Sequence, residues 1–397
     1  MTTSRVESKR TRLVQSARHS SDWNGALNAP LMRASTILFD RLDEYEVRPE
    51  RSSGKLSYGI AGTTTHFAFQ EALADLEGAA DAITLPSGLA ANTVALQAFV
   101  SQGDHILVTD SVYYPARRFC DKILKRQGVE TTYYDPTIGA GIEALIRPNT
   151  KLIYMETPGS LTFEMQDVPA IVAAARKHGV RTALDNTWAT PLFYRPLEQG
   201  VDLSIQAGTK YIGGHGDLML GYIAANEASF RAVYDMALFH GHCCGPEEAY
   251  QGLRGLRSMG ARLDQHQRGA LAVARWLQER PEVDRVLYPA LPEDPGHAIW
   301  KRDFDGATGL LGIVLAKPYA RRAVEAMIES YRYFGIGASW GSFASLVVSG
   351  YPERHQTTRR WEATGPLLRY HIGLEDPDDL INDLATGFER LEQANKG

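Results

Sequence analysis

Short apolar runs alternate with longer amphipathic stretches along most of this chain. Ile83-Thr-Leu85, His105-Ile-Leu-Val-Thr109, Lys151-Leu-Ile-Tyr-Met-Glu156, Val180-Arg-Thr-Ala-Leu-Asp185 and the run opening at Ser204 are too short for helices and read as buried strands. Between them, residues recur at helical spacing. Thr65 to Gly78 predicts a helix with Phe69, Leu73 and Leu76 on one face, and two more are predicted from Ser87 to Val100 and from Val168 to His178. Strand, helix, strand at this repeat predicts a parallel sheet covered by helices. Such sheets bind ligands beyond the carboxyl ends of their strands, where Glu156, Asp185 and Thr209-Lys210 all fall.

Farther along, Glu227 to Phe239 predicts a helix. Glu247 to Leu277 predicts long helices joining two domains, with Arg254, Arg257 and Arg262 on a solvated or inter-subunit face. Strand patterns at Glu282–Tyr288, Gly309–Leu315 and Leu367–Gly373, then a helix over Asp376–Gln393, describe a smaller α+β unit. The first 62 residues hold little apolar pattern and read as an arm, with loop chemistry at Arg51-Ser-Ser-Gly-Lys55. The division expected is an arm over 1–62, a large domain over 63–255 and a C-terminal domain over 256–397.

Composition narrows the function classes. The chain has 397 residues, 44% hydrophobic and 22% charged, as in ordinary soluble globular proteins. A net charge of -5 and the lack of a basic stripe give no reason to expect nucleic acid. No apolar run is long enough to span a bilayer, so no membrane partner is expected. Three cysteines, two of them adjacent, make neither a disulfide framework nor a metal-ligand spacing, which fits a reducing, cytoplasmic compartment. Met1 to Ser21 is polar and basic without an apolar core, and so does not read as a secretory signal.

The candidate chemistry sits at two strand ends. A lone lysine on a loop is ordinarily a solvated charge, but Lys210 follows one strand end and Asp185 closes another. An amine and a carboxylate so placed are the pair a pyridoxal phosphate enzyme needs. The amine binds the aldehyde, and the carboxylate keeps the ring nitrogen protonated so that the ring can accept electrons. Ser87-Gly88-Leu89 opens a helix, and the free N–H groups of such an end attract anions. A plain capped helix is the alternative there. Arg369 and His371 share one face of a predicted strand, where Arg369 reads as an edge-strand charge.

Asp185-Asn-Thr-Trp together with Thr209-Lys210 resembles the Cys/Met-metabolism family of pyridoxal phosphate enzymes, over about Tyr58 to His371. The resemblance implies an α/β chain of fold type I, aminotransferase-like, with a mostly parallel seven-stranded sheet flanked by helices and a smaller α+β C-terminal domain. It implies pyridoxal 5'-phosphate held by Tyr58, Gly88, Leu89, Tyr113, Asp185, Thr209 and Lys210. Lys210, Tyr113 and Asp185 would be catalytic, while Tyr58, Ser339, Trp340 and Arg369 would meet the substrate. It further implies a homotetramer of two dimers in which Tyr58 completes the neighbouring subunit's site. Ile60 stands where the family carries a phosphate-binding arginine. Ser339-Trp340 resembles the bacterial cystathionine β-lyase branch, although Ala338 and Ala344 depart from it. The expected reaction is α,β-elimination from cystathionine or a related cysteine thioconjugate. The alternatives are γ-elimination on cystathionine, methionine or canavanine, and a binding or scaffold protein without cofactor.

Overall fold

The computed structural model describes residues 7–48, 55–354, 356–358, 361–363 and 365–396. The loop expected at Arg51 to Gly54, and Met1 to Val6, lie outside the described residues.

The apolar runs assemble into one seven-stranded sheet. Its strands are β1 (Asp81–Leu85), β2 (His105–Thr109), β3 (Glu130–Tyr134), β4 (Thr150–Glu156), β5 (Arg181–Asp185), β6 (Leu203–Gln206) and β7 (Gly221–Ala225), in the order β1-β7-β6-β5-β4-β2-β3. Neighbours from β3 through β6 pair in parallel, and β7 runs antiparallel to both β1 and β6. Helices cover both faces, which is why β2, β6 and β7 are buried at every residue. The α/β sheet expected from the strand–helix repeat is present, and β3 at its edge and β7 are additions to the strands read from the sequence. Gly221-Tyr-Ile-Ala-Ala225 has too little alternation to declare a strand, yet its small residues let neighbouring segments close in.

Local chemistry explains where the helices start and stop. Thr64–Glu77 begins with a capping box between Thr63 and His66 and ends at Gly78, whose φ of 66° suits glycine. Gly88–Gln97 is capped by Ser87, whose hydroxyl accepts from Ala90 N–H. Pro246–Gln278 is a single helix of 33 residues rather than several. It opens with a proline at its first turn followed by Glu247 and Glu248, both favourable beside a helix N-terminus.

A second sheet of five strands follows, in the order β10-β11-β12-β9-β8: β8 (Val283–Leu287), β9 (Leu310–Leu315), β10 (Gly335–Ile336), β11 (Leu346–Gly350) and β12 (Leu367–His371). Helices Arg321–Ile328 and Pro377–Lys396 pack against each other beside it. One hydrophobic cluster runs from Phe69 and Leu73 through the long helix to Leu368 and Tyr370, so the two sheets share a core.

The long helix also corrects the reading of its arginines. Arg254 is exposed as expected, but Arg257 and Arg262 turn inward. Arg257 donates to the carbonyls of Leu13 and Ser16 at 2.9 and 2.8 Å, pinning the N-terminal helix Lys9–Gln15. Arg262 is buried against the turn that follows β6.

Candidate active site

That turn carries Lys210, and several elements fix it. Lys210 N–H donates to Ala207 O at 3.0 Å, and Gly214 N–H donates to Lys210 O at 2.8 Å. The Thr209 hydroxyl donates to Leu220 O at 3.0 Å and accepts from Leu220 N–H at 2.9 Å, tying the turn to the approach of β7. From the long helix, Arg262 donates to Tyr211 O at 2.8 Å, Ile212 O at 3.3 Å and Gly255 O at 2.8 Å. A buried guanidinium is tolerable only when its donors are met, and here backbone carbonyls meet them. Burial still pushes Arg262 down to about 10. A side chain at Gly255 would collide with Ile212 O, so glycine is what lets the helix come this close.

The amine of Lys210 lies 2.9 Å from Ser339 Oγ and 5.5 Å from the centre of the Trp340 ring. Burial, then the Arg369 charge, lowers it to about 8, against a smaller opposing pull from Asp185. A neutral amine is therefore accessible close to neutral pH, as a nucleophile or base requires.

Asp185 is buried at the end of β5, and Thr187 donates to its Oδ1 from both N–H (3.0 Å) and hydroxyl (2.5 Å). Burial raises its carboxyl above the ordinary value, while Thr187, Asn92 and Lys210 pull the other way. Beside it in register on β4 is Glu156, which burial and the Asp185 charge push well above the usual carboxylate range. Two adjacent buried acids resist ionising together, so Glu156 is held toward its neutral form. Its Oε2 accepts from Tyr113 N–H at 2.6 Å. The Tyr113 hydroxyl is raised by burial, then by Asp185 and Glu156, and so stays protonated at neutral pH.

The anion cradle expected at Ser87-Gly88-Leu89 packs directly on the lysine strand. A Cβ at Gly88 would lie 2.5 Å from Ala207 Cβ, and one at Gly221 would collide with Ser87 O. These two glycines let the helix N-terminus and the lysine turn meet. On the other side, Arg369 of β12 donates to Ala338 O at 3.0 Å and Ser339 O at 3.4 Å. Burial lowers it to about 10. No carboxylate among the described residues bridges it.

The structure thus brings together Lys210, Thr209, Asp185, Tyr113, Ser339, Trp340 and Arg369, with Gly88 and Leu89 at the adjoining helix end. Tyr58 stands apart. It is 49% exposed and lines, with Ile60, a cavity of about 690 Å³ bounded by Arg33, Ser35, His66 and Cys243 rather than by the lysine group. Three residues around the site received no role from sequence: Arg262, Asn92 and Thr187. Thr187 was visible within Asp185-Asn-Thr-Trp, whereas Arg262 is recognisable only from contacts made across 51 residues.

The donor set suits pyridoxal phosphate. A helix N-terminus offers N–H groups to a phosphate, and a buried acid without a cationic partner in contact lies where a protonated ring nitrogen would supply one. A lysine of lowered proton affinity is present for the aldehyde.

Comparison with known proteins agrees. A relative from Rhizobium johnstonii is 49% identical over 381 residues, 95% of each chain. The cystathionine beta-lyase of Escherichia coli strain K12 is 42% identical over 387 residues, covering 96% of this chain and 98% of that one. Among solved structures, a cystathionine gamma synthase from Xanthomonas oryzae pv. oryzae superposes with a TM-score of 0.87 at 29% identity, covering 98% of this chain and 99% of that one. The family model for Cys/Met metabolism PLP-dependent enzymes matches residues 10–389, and the chain belongs to that family.

Proposed function

We propose that this enzyme cleaves the Cβ–S bond of L-cystathionine, or of a related cysteine thioconjugate, by α,β-elimination. With one water consumed, the products are the thiol (homocysteine from cystathionine), pyruvate and ammonia. The observation that carries the reading is the contact of Lys210 Nζ with Ser339 Oγ, beside Trp340 and Arg369. On this reading the pair that resembles the β-lyase branch would meet the substrate beside the lysine amine. The names of relatives such as the Escherichia coli enzyme support it.

When bound, pyridoxal phosphate supplies an electron sink conjugated to the substrate α-carbon. Gly88, Leu89 and Thr209 would hold its phosphate end, the Thr209 hydroxyl being bound to Leu220 O in the chain itself. Tyr113 would stack on the ring, and Asp185 would keep the ring nitrogen protonated. Arg369 takes the substrate carboxylate with its planar fork. Lys210, neutral above about 8, removes the α-proton, and Ser339 orients that amine. Tyr113, still protonated, delivers a proton to the departing sulfur.

The same reading assigns Tyr58 to the neighbouring copy's site within a homotetramer of two dimers. Its place on a cavity that the lysine group does not line supports this, as do exposed apolar side chains on the arm such as Leu38 (88%), Leu42 (72%) and Val47 (80%). Residues 1–62, 63–255 and 256–397 remain the proposed arm and domains, with the helix Pro246–Gln278 crossing the second boundary. No helix among the described residues is long and apolar enough to cross a membrane. Cys120, Cys243 and Cys244 are unpaired, which supports a cytoplasmic site of action.

Product analysis on L-cystathionine tests the reaction. Homocysteine with pyruvate is expected. Cysteine with 2-oxobutyrate would instead establish γ-elimination, and no product from any thioether amino acid would reject the lyase reading.

A further inference from the structure

Lys210 meets Ser339 and Trp340 only because the segment 338–345 is pressed against the lysine turn. Gly341 sits at φ +84°, and a Cβ there would come within 2.9 Å of Lys210 C and Tyr211 N. A segment so close, with no regular pairing through its middle, needs anchors. Strand β12 and the residues after it supply them in sequence. Arg369 reaches Ala338 O. Two residues on, His371 Nε2 lies 3.1 Å from Gly341 N and 3.0 Å from Ser342 O. Next, Gly373 N–H donates to Ser345 Oγ at 2.9 Å, and Glu375 accepts from Ser345 N–H and hydroxyl at 2.8 and 2.9 Å. His371 holds the middle of the segment, one residue beyond Trp340.

The ring itself is well fixed. His371 is 1% exposed and packs 5.2 Å from the His266 ring and 6.0 Å from Tyr211. His266 is in turn bound through Nδ1 to Ile372 O at 2.8 Å. Burial, then His266, pushes His371 down to about 3, with Arg369 and Lys210 adding to the effect, so the ring is neutral whenever the enzyme works. A neutral ring carries one proton. On Nε2 it is donated to Ser342 O, and on Nδ1 it leaves Nε2 to accept from Gly341 N–H. In both forms the ring grips the segment's backbone.

We propose that His371 is a positioning residue for the reactive lysine. By holding the backbone at Ser342 or, in the other tautomer, at Gly341, it keeps Ser339 and Trp340 against the Lys210 amine and keeps that amine partly dehydrated. The inference rests on Lys210 being the reactive amine of the proposed function, but not on the identity of the substrate. Arg369 sits on β12 itself rather than on the segment, so loosening the segment should disturb the amine more than the carboxylate clamp.

The test uses His371→Leu, His371→Gln and His371→Asn, with two readouts. The first is the pH dependence of pyridoxal phosphate capture by the apoenzyme, followed by absorbance. The second is steady-state turnover of L-cystathionine by the loaded enzyme. Wild-type capture should rise through a midpoint at about 8. His371→Leu should move that midpoint up by ~1 unit as water reaches the amine. It should lower kcat by roughly 10- to 100-fold, with a much smaller change in KM. Glutamine extends to the place of Nε2 and should restore much of both values, whereas asparagine stops short and should not. A folded His371→Leu protein with an unshifted midpoint and normal kcat overturns the proposal. So does a rise in KM alone. If the leucine variant does not fold, equal behaviour of the glutamine and asparagine variants overturns it, and rescue by glutamine alone supports it. A shifted midpoint in an enzyme that leaves every thioether amino acid untouched would reject the lyase reading and still uphold the positioning role.

Discussion

The Lys210 turn and the Tyr58 segment are both expected to serve a cofactor site, yet they are built in opposite ways. The turn is fixed by contacts within its own chain, with Arg262 beneath it, Thr209 tied to Leu220 and Ser339 against the amine. Tyr58 has one isolated bridge to Thr36, an exposed ring and an open cavity at its side. Chemistry that depends on placement within a fraction of an ångström is built on a packed scaffold. A contribution that comes from another copy leaves its residues exposed in the single chain. The comparison says which substitutions should abolish function and which should only adjust it.

The largest effect belongs to the turn. Lys210→Ala should remove cofactor absorbance in the visible range and lower turnover by at least ~10²–10⁴-fold, the ordinary worth of a positioned base. A variant that still turned over at the wild-type rate would move the chemistry to another residue. Asp185→Asn should fold and bind cofactor but lose roughly 10²–10³-fold in kcat, because a neutral amide supplies no charge to a ring nitrogen. Kinetics with unchanged cofactor content would check it, and full activity would make this carboxylate structural. Arg369→Lys should raise KM by about 10- to 100-fold, the equivalent of losing ~1.5–3 kcal/mol of charge-assisted hydrogen bonding. Little change in KM would place the clamp elsewhere.

On the arm the expected effects are smaller. Ile60 provides no hydrogen bond for a phosphate, so Ile60→Arg should slow cofactor loss during dialysis several-fold while leaving kcat within about 2-fold. Equal loss from both proteins would mean that the phosphate already has its full set of ligands. A mixing experiment sharpens the contrast. Tyr58→Phe combined with inactive Lys210→Ala should recover part of the activity if each site borrows from its neighbour, and none if each chain is self-sufficient.

The two regions also differ in how much of them the sequence discloses. Asp185 and Lys210 are legible because strand ends are marked by where apolar runs stop, and residues just beyond them point into a ligand crevice. The helix end at Ser87-Gly88 is legible as a cap. Arg262 is not, because a helical arginine looks solvated until the fold brings the carbonyls of residues 211 and 212 beneath it. Strand β7 was missed for a related reason. Buried on both faces between β1 and β6, it needs small residues more than alternating ones, and small residues leave no period to read. His371 was placed on the right face beside Arg369, but its hold on Gly341 and Ser342 depends on how that segment folds back.

The most direct test of the account is to find the residue that carries the cofactor. Borohydride reduction of the loaded wild-type enzyme, followed by peptide mapping, should place one pyridoxyl label per chain on Lys210. A label on any other lysine, or none at all, would contradict a site organised around the turn that follows β6.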